Sequence, residues 1–277
     1  MSQAYPELLQ RFRPHIHGDG DITVILGHGI GTDQTAWSRQ VDALNKAGYR
    51  AVTFDFAGAT AETQQYFSPT HHKTLYGLAE DLLVVVHGLG IERPVYMGHS
   101  MGAMAGVLAA LAEPQTFRAL ILLGASMRYL DDPATGYVGG FSAEQMDVLL
   151  RSAQDNYAQW ANGFAPAMVG AANPHLSAEA FTQQLLSLRP DIVHTILSAA
   201  LLADHRAEMR QLLTPCYVLQ TVLDNAVPRA AARALADQGR ARLYTEIPTQ
   251  GHLPHITAPD AVNQVLLDCL KDMRRHA

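Results

Sequence analysis

Pro94-Val95-Tyr96-Met97-Gly98-His99-Ser100-Met101-Gly102-Ala103-Met104-Ala105 is an apolar run that passes through Gly-x-Ser-x-Gly into a stretch of Ala, Gly and Met. The five-residue pattern is a weak string by itself. An apolar strand directly before it and a small-residue helix directly after it make it a sharp strand-to-helix turn. Gly98 and Gly102 remove side chains that would clash in such a turn, and Ala103 and Ala105 let the helix lie close to the sheet. The expected result is a Ser100 hydroxyl held exposed at the carboxyl edge of a parallel sheet, where open α/β sheets place their ligands.

Outward from this turn, β-branched runs alternate with helical spacing, the pattern of βαβ units. Strands are expected at 22–26, 49–54, 94–97, 119–123, 216–221 and 242–247. Helices are expected at 41–47, 75–89, 101–111, 229–238 and 260–273. The alternation stops from about 128 to 210, where only helical pieces are read, at 143–151, 157–162, 178–186 and 191–202. This predicts a mostly parallel central sheet flanked by helices, formed by residues 1–127 and 211–277. A four-helix cap, residues 128–210, is inserted after the strand that follows the nucleophile helix.

A serine hydroxyl needs a base to take its proton. The chain has thirteen histidines. In the order nucleophile, acid, histidine that accompanies this turn, His252 is the candidate, because it follows the last strand and so reaches the same sheet edge. His255 is the competitor in the same loop. His28 and His99 flank the glycine motifs and read as structural. Loop and insert histidines, His71, His72 and His205 among them, read as surface residues. Asp224, after the strand at 216–221, is the candidate acid; the strand at 119–123 is followed by no carboxylate before Asp131. The oxyanion of an acyl transfer would rest on backbone N–H groups, those of Met101 and Ile30.

The 277 residues are 48% hydrophobic with a formal net charge of -6. That supports a full buried core and argues against nucleic acid or an anionic membrane as partner. Residues 1–20 contain no apolar run of the kind a secretory signal needs. Cys216 and Cys269 sit in apolar stretches and read as buried free thiols of a reducing compartment, so a cytoplasmic chain is expected, and a monomer. No metal site is read; His71 and His72 are adjacent, a spacing that does not share one helix face. Gly27-x-Gly29-x-Gly31 followed by Asp55 also resembles a dinucleotide-binding turn. That turn lacks its third glycine, and 32–35 separate it from a helix N-terminus. No cofactor is expected.

The sequence resembles the RsbQ-like α/β-hydrolases, a group that includes bacterial stress-pathway regulators and the plant strigolactone and karrikin receptors. The resemblance runs from about His17 to the C-terminus. It rests on Gly29-Ile30-Gly31-Thr32-Asp33-Gln34 with Trp37, on Tyr96 to Ala103, and on Arg128-Tyr129-Leu130-Asp131-Asp132. It continues through Gly139-Gly140-Phe141, Asn156-Tyr157-Ala158-Gln159-Trp160, Gly163-Phe164-Ala165-Pro166, Arg189-Pro190-Asp191-Ile192 and Gly251-His252-Leu253-Pro254-His255. It implies the α/β-hydrolase fold with a helical lid over an apolar pocket, and Ser100, Asp224 and His252 as the triad. Tyr129, Leu149, Trp160, Phe164, Phe181, Leu201 and Ala226 fall at or near pocket-lining positions. The implied function is cleavage of a small apolar ester or lactone, or sensing of one through a protein partner. Ile30 stands where relatives usually carry Phe, and Leu201 where the plant receptors carry Phe, so the pocket is expected to lose aromatic wall; 57–70 also departs from the group.

Overall fold

The structure, a computed structural model, describes residues 8–170 and 173–275. Of the N-terminal stretch read for a signal, residues 1–7 lie outside the described residues. The chain runs β1 (His15–His17), β2 (Thr23–Gly27), α1 (Ser38–Lys46), β3 (Arg50–Thr53), α2 (Leu75–Gly88), β4 (Val95–His99), α3 (Met101–Ala112) and β5 (Ala119–Leu123). Four helices follow: α4 (Ala143–Asp155), α5 (Tyr157–Val169), α6 (Ala178–Leu186) and α7 (Pro190–Leu201). The chain then continues through α8 (Arg206–Gln211), β6 (Cys216–Leu223), α9 (Arg229–Gln238), β7 (Leu243–Gln250), α10 (Pro254–Thr257) and α11 (Pro259–Arg275).

The strands form one seven-stranded sheet in the order β1-β3-β2-β4-β5-β6-β7. Only β1 is antiparallel to its neighbour. The central strands are buried on both faces, so successive side chains feed two cores. Ile25, Tyr96, Leu120, Leu122 and Val218 face the core beneath α2 and α3. Val24, Leu26, Val95, Met97, Ile121 and Leu219 face the core beneath α1 and α11, with Trp37, Leu44 and Leu266.

The α4–α7 insert has its own cluster, in which Trp160, Phe181, Leu185 and Leu197 pack with Val227, Ala231 and Leu253 from the sheet side. Its two ends are drawn together by charge. Arg128 donates to Asp204 at 2.6 Å, while Arg206 donates to Asp132 at 2.8 Å and to Asp204 at 2.7 Å. The paired Arg206 guanidinium holds the Asp204 carboxyl down at about 2.

Helices α8 and α10 have no counterpart in the sequence reading, and two further elements differ from it. Strand β1 was unread: His-Ile-His at a sheet edge is mostly exposed and carries no apolar signal. Helix α5 continues past 162 to Val169 with Pro166 inside it. Both departures come from tertiary packing overriding local propensity.

The turn after β4 is as crowded as its glycines imply. A Cβ on Gly98 would lie 2.5 Å from Ala103 Cα, and one on Gly102 would lie 2.4 Å from the His28 carbonyl oxygen. Both neighbours are backbone and cannot swing aside. Gly98→Ala should therefore lose about 1–3 kcal/mol of stability, seen as a fall in melting temperature of roughly 3–10 °C. An unchanged melting temperature would contradict this close packing.

Candidate active site

Ser100 sits between β4 and α3 with φ 54° and ψ -119°. This left-handed backbone is rare for a residue with a Cβ. Its amide donates to the Leu123 carbonyl of the adjacent strand at 2.9 Å. Ser100 Oγ lies 2.9 Å from His252 Nε2, and His252 Nδ1 lies 2.8 Å from Asp224 Oδ2. The three residues stand at the carboxyl ends of β4, β7 and β6 and are 9%, 6% and 9% exposed respectively.

Each member is held by its surroundings. Asp224 Oδ1 accepts the amides of Ala226 at 2.8 Å and Val227 at 3.1 Å, and Gln220 Nε2 donates to Oδ2 at 3.2 Å. Burial opposes ionisation of Asp224, but His252 and these two amides outweigh it and hold the carboxyl below its usual range. His252 is fixed through its backbone: its amide donates to the Met168 carbonyl at 2.7 Å, and its carbonyl accepts from His99 Nε2 at 2.7 Å. Asn225 donates to the Ala167 carbonyl at 2.9 Å. The last carbonyls of α5 have no partner within their own helix, and here they tether the loops of both Asp224 and His252.

Ser100 and His252 open onto a cavity of about 630 Å³ beneath α4–α7. Tyr129, Leu149, Trp160, Phe164, Phe181, Leu201 and Ala226 all line it, as does Ile30. Trp160 stacks on Phe164 within the lining and on Tyr157, which does not itself line the cavity. Burial pushes the Tyr129 phenol up to about 12, so it stays a neutral hydroxyl. Met101 opens α3 immediately after Ser100, so its amide belongs to the first turn of a helix. The sequence reading missed Ser152, Asp155, Asn156 and Gln159, which add a polar strip to the lining. Their helical spacing with Leu149 and Trp160 was the available signal.

The other sequence candidates resolve separately. His255 packs its ring between Trp37 and His99, and neither of its ring nitrogens has a hydrogen-bond partner among the described residues. His28 Nε2 accepts from the Phe56 amide at 3.0 Å. Asp55 accepts from the Gln34 amide and side chain at 2.9 and 2.8 Å, which occupies the carboxylate a ribose would need. His72 and His205 are buried, not on the surface as read; neighbouring loops and helices cover them, a tertiary effect that local sequence does not carry. Cys216 and Cys269 are buried and free. Among the described residues, no helix is long and apolar enough to cross a membrane.

Residues 24–265 match the sequence profile described as the alpha/beta hydrolase family. The chain belongs to the alpha/beta hydrolase family. It is 36% identical to the Karrikin insensitive 2 receptor CA of Petunia hybrida, over 91% of this chain and 93% of that one. It is 35% identical to the Strigolactone esterase D14 of Arabidopsis thaliana, over 94% and 96%. Among solved structures, a hydrolase from Oleispira antarctica superposes with a TM-score of 0.91 at 22% identity, covering 98% of both chains. That likeness shows the shared fold.

The histidines around the site have a consequence for acid stability. Burial lowers the pKa of His28, of His99 and of His255, the last to about 3. As pH falls below about 6.5 the unfolded chain takes up protons that these rings refuse, so the native state loses ground. Each ring contributes up to about 1.4 kcal/mol per pH unit. His71, which Asp81 raises through a hydrogen bond, works in the opposite direction. The unfolding free energy from urea curves measured from pH 7 to pH 5 should fall, the slope steepening below about 6.5 to on the order of 2–4 kcal/mol per unit. A flat profile would show that these rings are not held neutral.

Proposed function

We propose that this chain is a serine hydrolase that cleaves a small apolar carboxylic ester or lactone through an acyl-enzyme. The observation that carries this reading is the Ser100–His252–Asp224 hydrogen-bond relay opening onto a lidded, largely apolar cavity. His252 Nε2 takes the Ser100 proton as Oγ attacks the substrate carbonyl carbon. Asp224 holds the ring orientation and stabilises the imidazolium. The tetrahedral oxyanion rests on the amides of Ile30 and Met101. His252 then gives its proton to the departing alkoxide, which in a lactone stays tethered to the acyl group. Water, deprotonated by His252, attacks the acyl-enzyme; the acid leaves and the proton returns to Ser100.

In this reading residues 128–210 act as a cap over a core made of 1–127 and 211–277. The polar strip on α4 and α5 would receive the oxygen atoms of an otherwise apolar ligand. Two buried free thiols accord with a reducing, cytoplasmic setting.

A second reading is favoured by the relatives, one a receptor and one an esterase. Slow hydrolysis in the same cavity would serve sensing, and the occupied cap would then be read by a protein partner. Ligand-dependent capture of a partner, with slow turnover of simple esters, would favour it. Fast turnover without such a partner would favour the metabolic reading.

p-Nitrophenyl acetate and butyrate test the chemistry. The wild type should show a burst of p-nitrophenol and then steady turnover. Ser100→Ala should lose both, and Asp224→Asn should lose on the order of 10³–10⁴ in kcat. Wild-type turnover no greater than that of Ser100→Ala would sink the hydrolase reading.

A further inference from the structure

Away from the cavity, the loop before α2 and the helix itself bring three metal-binding groups together. His71 and His72 lie in the turns leading into α2, and Asp81 lies on its second turn. His72 Nε2 is 3.0 Å from Asp81 Oδ2, and His71 Nε2 is 3.4 Å from Asp81 Oδ1. One donor atom from each of the three residues can be chosen so that all lie within 4.8 Å of one another. A tetrahedral ion with bonds of about 2.0–2.1 Å needs donors about 3.3–3.4 Å apart, a spacing close to that of the two histidine–carboxylate pairs.

The outer nitrogens point the same way. His72 Nδ1 is 3.0 Å from the Ser68 carbonyl oxygen, and His71 Nδ1 is 3.6 Å from Glu80 Oε2. Ligating histidines turn their second N–H to a carbonyl or carboxylate; His72 has that contact, and Glu80 lies just beyond hydrogen-bond reach of His71. With both Nδ1 protons outward, two Nε2 lone pairs face the Asp81 carboxylate, and only a proton or a cation satisfies three such donors. The Ser68 amide also lies 3.0 Å from His72 Nδ1. That contact suits the metal-free ring, whose proton then sits on Nε2 toward Asp81. Metal binding releases this proton to solvent.

We propose that His71, His72 and Asp81 bind one divalent transition-metal ion, zinc being the best match to two imidazoles and a carboxylate. The His71 side chain is 36% exposed, which leaves an access route and room for water or Glu80 as a fourth ligand. The ion fastens the loop before α2 to that helix. The His72 ring stacks on Phe67 at 4.8 Å, and a Cβ on Gly58 would meet both Phe67 and Ile192 of α7. The fastened loop therefore bears on the insert. None of the three ligands lines the cavity, so the site stands apart from the hydrolase reading.

The test is titration of the chelator-treated full chain with Co²⁺, followed by Zn²⁺. One equivalent of Co²⁺ should give a saturable visible absorption band that Zn²⁺ removes. Zn²⁺ at about 100 times its Kd should raise the melting temperature by roughly 5–10 °C. His71→Ala, at a partly exposed position, should lose both effects and keep the ester turnover of the metal-free wild type. Asp81→Asn should lose the band as well. No saturable uptake at one equivalent, or an unchanged band in His71→Ala, would overturn the site. Uptake without a rise in melting temperature would overturn the fastening role.

Discussion

The left-handed backbone at Ser100 is the constraint on which the rest of this structure depends. A residue held there costs on the order of 1–3 kcal/mol, and it persists only where the surroundings over-determine it. Here β4 is hydrogen-bonded on both sides, to β2 and to β5. The Ser100 amide is tied to Leu123, and α3 is pressed onto the sheet through glycine at 98 and 102. Tyr96 adds a further brace, donating from β4 to the Gly102 carbonyl at 2.7 Å. The turn is rigid because each element that meets it has no room to move.

Rigidity at one member of the relay would be of little use without registration of the other two. Asp224 and His252 stand on loops after β6 and β7, and loops are ordinarily the mobile parts of a fold. The C-terminal end of α5 fixes both, through the Ala167 and Met168 carbonyls. The insert thus lines the cavity and also sets the position of His252. Its own ends are clamped by Arg128, Asp132, Asp204 and Arg206, so it is anchored at its neck. Changes in the insert can therefore reach the serine through backbone hydrogen bonds, without any contact to the substrate.

Much of this was legible in the sequence, for a definite reason. Strands buried on both faces read as continuous apolar runs, so β2 to β6 could be located from composition and turn residues alone, while β7, a largely half-exposed edge strand, follows from the resumed alternation. The order of Ser100, Asp224 and His252 along the chain then assigned each to a strand end. What stayed hidden depends on tertiary placement. Strand β1 is an edge strand of His-Ile-His with no apolar requirement. Helix α5 runs through Pro166 because its surroundings stabilise it. The burial of His72 against Asp81 joins residues whose spacing matches no local motif. Ser152, Asp155, Asn156 and Gln159 become cavity lining only through the placement of α4 and α5 against it.

The relay at Ser100 is tested most directly by covalent labelling. Diethyl p-nitrophenyl phosphate should place one diethylphosphoryl group per chain, and peptide mapping by mass spectrometry should locate it on Ser100. The labelling rate should collapse in His252→Ala, since the hydroxyl is then without its base. A chain that takes up no label, or one labelled elsewhere at the wild-type rate, would contradict the account.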